Sequence, residues 1–305
     1  MSQNIEDNNA NNANNANNAN KKYSIVLVLK QYTHHHGKQY NNLERFIKIG
    51  MKSYKKYMKI DDIQTFYVIV PSSDVATISK ELSEKYPEFP WKIIDEEILV
   101  SPRIPPGWAR QQTAKLAISM LINTDTYLIV DDDTYLTKPF SAKDMYDPES
   151  NKLIFNRTNI DFPFFFLWSA QVLHMDYDKV QDAECHMAIT PEIFVTSVVK
   201  DIVKWLVNEY GSNKEWQLYL ANHKFTEYCI YWNWLIEHNL TDKYYDIKSS
   251  KQLYAYATTS SEQDMPGQVK HSFTDNANHW FSFVQSSIDM SMEKVHNEVM
   301  KYIKN

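Results

Sequence analysis

The chain has 305 residues, 43% hydrophobic and 23% charged, enough for a sizeable core and too apolar for wholesale disorder. Its 5 glycines never stand closer than the 13 positions from Gly37 to Gly50, so neither G-x-G-x-x-G nor a P-loop can occur. A formal net charge of −6 without a long basic run argues against nucleic acid as the main partner.

Further exclusions follow from the same reading. Two cysteines, Cys185 and Cys229, fit a reducing compartment and not a disulfide framework. No stretch approaches the ~18 apolar residues of a membrane span, and the N-terminus is not signal-like, so a soluble, cytoplasmic protein is expected. If a nucleotide binds without a glycine cradle, a metal ion becomes the natural partner of its phosphates.

Residues 1–22 are expected to be a disordered tail. The first 20 contain ten Asn in a period-three Asn-Asn-Ala repeat, which cannot bury enough apolar surface to offset chain entropy. Strands and helices then alternate. Ser24–Leu29 reads as a buried strand, Lys30–Asn42 as a polar loop, and 44–58 as a helix with Ile47, Met51, Tyr54 and Met58 in its stripe. Thr65–Val70 is a second strand, 75–86 a helix, and Trp91–Leu99 holds a third strand. A Pro-rich loop leads to a helix over Trp108–Ile122, and Thr126–Val130 is the fourth strand. Later helices are expected over Pro191–Tyr210 and Glu227–His238. This order implies an α/β fold with a mostly parallel sheet flanked by helices, whose ligands bind at the carboxyl ends of the strands.

The segment L-I-V-D-D-D-T-Y-L-T-K-P-F, residues 128–140, carries the sharpest chemical signal. In an extended chain Asp131 and Asp133 share one face and Asp132 points away. Two carboxylates projecting together from a strand end suit Mn²⁺ or Mg²⁺ with positions left for substrate phosphates. A second signal is Thr226, a good helix N-cap, which puts Glu227 in a first turn where the helix dipole stabilises its anion.

The strand, the Asp-x-Asp and the Lys-Pro-Phe turn, preceded by G-W-A-R-Q-Q-T-A-K-L at 107–116, resemble the nucleotide-sugar glycosyltransferases of the GT-A fold. The resemblance spans about 23–285 and extends to a poorly characterised GT-A-like group; the Asn repeat is reminiscent of proteins from A/T-rich genomes, some protists and large DNA viruses among them, and a viral source would place the protein in host cytoplasm. It implies a single GT-A domain over 23–305, with a Rossmann-like nucleotide-sugar half (23–140) and an acceptor half (141–305). It further implies Gln31, Tyr32, Arg110, Gln112, Lys115, Asp131 and Asp132 as nucleotide contacts, Arg110 ahead of Lys115 at the phosphates. Asp131 and Asp133 would hold the metal, with His271, ahead of His279, as third ligand. Glu227 would be the base that deprotonates the acceptor.

The expected reaction is transfer of a sugar from a nucleoside-diphosphate donor, UDP-linked, to a hydroxyl on a glycan, protein or small molecule. A non-catalytic carbohydrate-binding protein and a haloacid-dehalogenase-like phosphatase are the alternatives. Three further groups are noted: His34–His36 as a chelating triplet, Asp182/Glu184/His186 as a polar cluster, and Trp232 and Trp234, which cannot share a helix face at a spacing of two.

Overall fold

The computed structural model describes residues 21–35, 38–158, 163–212, 214–258, 263–274, 277–285 and 291–303. The Asn-rich tract at 1–20 and His36 of the histidine triplet lie outside the described residues.

Four strands form the expected parallel core: β1 (Tyr23–Val28), β2 (Ile63–Val70), β3 (Trp91–Asp95) and β4 (Thr126–Val130). The runs of β1, β2 and β4 are largely buried, as in a sheet sandwiched between helices, and every residue of β4 is buried, whereas of the edge strand β3 only Ile94 is. After a three-residue turn, β5 (Thr134–Leu136) leaves for a second sheet. A sixth strand, β6 (Glu192–Val195), pairs antiparallel with β4, giving the order β6-β4-β1-β2-β3. The second sheet has the order β7-β8-β5, with β7 (Tyr254–Thr258) parallel to β8 (Phe281–Val284) and β5 antiparallel to it.

The main helices are α1 (42–57), α2 (Val75–Lys85), α3 (Trp108–Ala117), α4 (Pro163–Val172), α5 (Thr196–Tyr210), α6 (Glu227–Glu237), α7 (Met265–Thr274) and α8 (Met292–Ile303). α1 contains a π-helical stretch at Phe46–Gly50, and its expected stripe of Ile47, Met51, Tyr54 and Met58 is buried. One hydrophobic core runs from Tyr23 to Phe281, and a smaller one joins β8 to α7 and α8 through Val284, Val269, Val299 and Ile303.

Three expectations are corrected. Lys30–Asn42 contains a two-stranded ribbon, Tyr32–His35 with Lys38–Asn41. The third strand stops at Asp95, whose side chain accepts from Glu97 N at 2.9 Å and starts the helical turn Glu96–Leu99. The helix expected over Pro191–Tyr210 begins only at Thr196. Its first residues, Glu-Ile-Phe-Val, are buried strand, because aromatic and β-branched side chains there complete the open edge of β4.

That strand brings a carboxyl into the core. Glu192 is fully buried, and both its oxygens accept from Asn156 N, at 3.2 and 3.3 Å. Burial pushes its carboxyl well above the usual glutamate range, against the pull of that one donor. Above the ordinary carboxylate pKa the unfolded chain releases this proton while the fold retains it, so stability falls as pH rises toward the folded value. Glu192→Gln keeps an acceptor for Asn156 N and removes the ionisation. Its melting temperature should equal or exceed the wild type's near pH 4.5, with the gain widening toward pH 8 in a series of thermal scans; a gain that does not change with pH would show Glu192 to be ionised in the fold.

Candidate active site at the carboxyl end of the central strand

β4 ends at Val130, and Asp131, Asp132 and Asp133 occupy the turn into β5. This corrects the alternation argument, which presumed that the strand continues. The turn closes on Asp131: its carbonyl accepts from Thr134 N at 3.2 Å and from Thr134 Oγ1 at 2.8 Å. Tyr54 of α1 donates to the same Thr134 hydroxyl at 2.8 Å, and Val284 N of β8 reaches the Asp133 carbonyl at 3.4 Å. Gly50 allows α1 to lie this close, since a Cβ there would meet Thr134 O at 3.1 Å and Phe46 Cδ2 at 3.0 Å.

Beneath the turn sits Lys115, only 3% exposed. Its Nζ lies 3.0 Å from Asp131 Oδ1 and 2.9 Å from Glu227 Oε1, and 5.5 Å from the centre of the Tyr228 ring. Burial opposes an ammonium here, yet the Asp131 and Glu227 carboxylates outweigh it and hold the Lys115 pKa well above its usual value. Gln112, one turn earlier on α3, faces the Glu227 carboxylate, and its amide satisfies both groups when oriented with the nitrogen toward it. Thr226 caps α6 as expected, accepting from Cys229 N at 2.9 Å.

Sequence reading placed several of these groups differently. Arg110, expected at the phosphates, is 4% exposed; it pairs with Glu96 at 2.8 Å and donates to the carbonyls of Ser101 and Ile104 at 2.9 Å each. Its guanidinium therefore ties the Pro-rich loop to α3, and Lys115 is the cation that meets Asp131. Glu227 is fully buried and its oxygens are engaged by Lys115 and Gln112, so it offers no open face to an acceptor hydroxyl. Burial still pushes its carboxyl up despite Lys115.

Gln31 and Tyr32 follow β1 and so stand at the same edge of the sheet as the acidic turn, because β1 and β4 are parallel neighbours. Gln31 N donates to Asp74 at 2.8 Å, and Tyr32 is 43% exposed. His271 lies on α7, and among the described residues no three His, Cys, Asp or Glu side chains gather as a metal site. Neither His271 nor His279 is therefore part of a three-ligand metal group among the described residues. The Asp182/Glu184/His186 cluster does not form: His186 is buried and bonded to the Val180 carbonyl at 2.7 Å, while both acids are exposed. Trp232 is core, stacked on Phe155.

Arg45 on α1 was not singled out by sequence. It is 5% exposed, and its charge pulls down the pKa of Asp132 while burial and Asp133 push that carboxyl up to about 8. Arg45 Nη1 and Asp132 Oδ2 are both sealed from solvent without a hydrogen-bond partner. An arginine within the apolar stretch L-E-R-F-I was the one available signal. Carboxylate oxygens are the donors a hard divalent cation takes, but the described residues do not gather three such ligands.

Residues 20–305 match a family described as a family of unknown function, DUF6492, and the chain belongs to that family. No curated protein matches the sequence. Among solved structures, the chain is similar to PaToxG glycosyltransferase at 12% identity, covering 78% of this chain and 77% of that one with a TM-score of 0.38. It is also similar to mouse xyloside xylosyltransferase 1 in its apo form, at 9% identity, 88% and 99% coverage and a TM-score of 0.48. Among the described residues no helix is long and apolar enough to cross a membrane.

The buried pair makes a stability prediction. Removing one partner of a buried ion pair costs about 3–5 kcal/mol, because the other charge is left uncompensated. Lys115→Met should therefore destabilise strongly in urea unfolding, and Glu227→Gln added to it should recover part of the loss. Strictly additive losses across this double-mutant cycle would show the pair to be uncoupled.

Proposed function

We propose that the protein is a metal-dependent glycosyltransferase that moves a sugar from a nucleoside-diphosphate donor, UDP-linked, to a hydroxyl acceptor. The observation that carries this reading is the acidic turn at the carboxyl end of the central parallel strand, with one buried lysine beneath it. Ligands of open α/β sheets bind at that edge. The sequence resemblance to GT-A enzymes rests on the same residues.

In this reading Asp131 and Asp133 hold Mn²⁺ or Mg²⁺. The ion would supply charge neutralisation for the departing diphosphate. Lys115 fixes the orientation of Asp131 through its 3.0 Å contact. Asp132 and Arg45 form the wall on the α1 side, and Gln31 and Tyr32 stand at the edge where a nucleotide base would lie. Glu227 acts through Lys115, as a positioning residue, and the acceptor's proton leaves by another group or to solvent.

Thermal unfolding against UDP, GDP, CDP and ADP, each with and without Mn²⁺, tests the donor site. Ligand at about 100 times its dissociation constant adds roughly 2.7 kcal/mol of stability. A shift with UDP that requires Mn²⁺, and that disappears in Asp133→Ala while the unliganded melt is retained, is expected. The absence of any diphosphate shift in the wild type would overturn the reading. In turnover, Glu227→Gln should lose activity together with nucleotide affinity. Loss of about 10²–10⁴-fold in kcat with unchanged affinity would instead restore Glu227 as a general base.

A further inference from the structure

At the opposite end of β4 lies a cavity of about 480 Å³, lined at its mouth by Lys21, Lys152, Lys200 and Lys243. Asp125 is the one carboxylate on its wall, and none of the four lysines has a carboxylate partner among the described residues. Two of the ammonium groups are set by aromatic faces instead: Lys21 Nζ lies 5.0 Å from the centre of the Tyr146 ring and Lys243 Nζ 4.7 Å from that of Tyr244. Lys200 Nζ is tethered to the Ile122 carbonyl at 2.8 Å. Three of the four ammonium groups are thus set by aromatic faces or a backbone carbonyl and not by a carboxylate.

The floor is the start of α5, a helix of 15 residues. Its N-cap is Val195, which has no side-chain acceptor, so the first-turn N–H groups receive no side-chain cap. Thr196 N is satisfied by the Asp125 carbonyl at 2.9 Å. The Thr196 side chain is not. The residue is 4% exposed, lines the cavity, and its Oγ1 is buried without a hydrogen-bond partner. A buried hydroxyl left in this condition costs about 1–3 kcal/mol unless something else bonds to it.

We infer that this cavity is a binding site for a small phosphate-bearing anion, separate from the acidic turn. The helix N-terminus supplies a positive dipole end and four lysines supply charge. The cavity's small volume and the chain's overall negative charge favour a compact phosphate compound over a nucleic acid. β4 separates the two sites by ~13 Å of strand at 3.3 Å per residue, so both can be filled at once.

The test is calorimetric titration with inorganic pyrophosphate in EDTA, where the acidic turn holds no cation and repels anions. Wild-type protein should bind saturably. Lys152→Gln/Lys243→Gln should weaken binding about tenfold or more, as expected for two charge-assisted contacts, with the unliganded melting temperature unchanged. The charge-matched pair Lys80→Gln/Lys270→Gln, on exposed sites elsewhere, should bind like the wild type. No saturable binding at millimolar pyrophosphate, or equal weakening in the control pair, would overturn the inference. Either result leaves the donor-site reading untouched, because that one is read with Mn²⁺ and nucleotide.

Discussion

A single ammonium group, Lys115 Nζ, holds the described site together. It is shared between a fully buried carboxylate, Glu227, and a partly exposed one, Asp131. A lone buried lysine would give up its proton. Here two opposite charges within 3.0 Å keep it charged, and the same contacts fix where α3, α6 and the end of β4 stand relative to one another. Because Glu227 balances the lysine from below, Asp131 can keep a second oxygen for something in solution. The arrangement is costly to bury and specific in geometry, which is a common property of polar groups placed beneath a site.

The aspartates are also a structural joint. The strand that ends at Val130 belongs to the five-stranded sheet, and the one that starts at Thr134 belongs to the three-stranded sheet. Three residues span the change. Thr134 and Tyr54 close the turn from the α1 side, and Val284 N holds it from β8. Mutual repulsion among three carboxylates at such a turn is resisted by this backbone clamp, with Arg45 and Lys115 as the nearby cations.

Local pattern made part of this legible. β1, β2 and β4 stand out because continuous β-branched runs have few other uses, and α1 because Ile47, Met51, Tyr54 and Met58 repeat at the helical period. The acidic triplet was visible because it follows such a strand directly. β6 was not visible, since Glu-Ile-Phe-Val precedes a long helical pattern and its strand state depends on an edge offered by β4. Lys115 was read as a candidate beside Arg110, but spacing on one helix shows only that the two diverge. Which of them turns toward the aspartates is set by Glu96 and Glu227, acids far from each other in sequence. Arg45 and the lysine-lined cavity were hidden for the same reason: their members come from distant segments and carry no local motif.

The way the larger sheet ends bears on how the protein behaves when crowded. Open strand edges invite other chains to add to them. One margin here is β6, four buried residues long, with Tyr231 Oη accepting from Val195 N at 3.1 Å. The other is β3, five residues long and carrying the exposed Lys92. Brevity and cover on one side, brevity and charge on the other, leave little template for stacking copies edge to edge, so a chain this rich in tyrosine and phenylalanine can keep its long hydrophobic strands in the interior, out of reach of self-association.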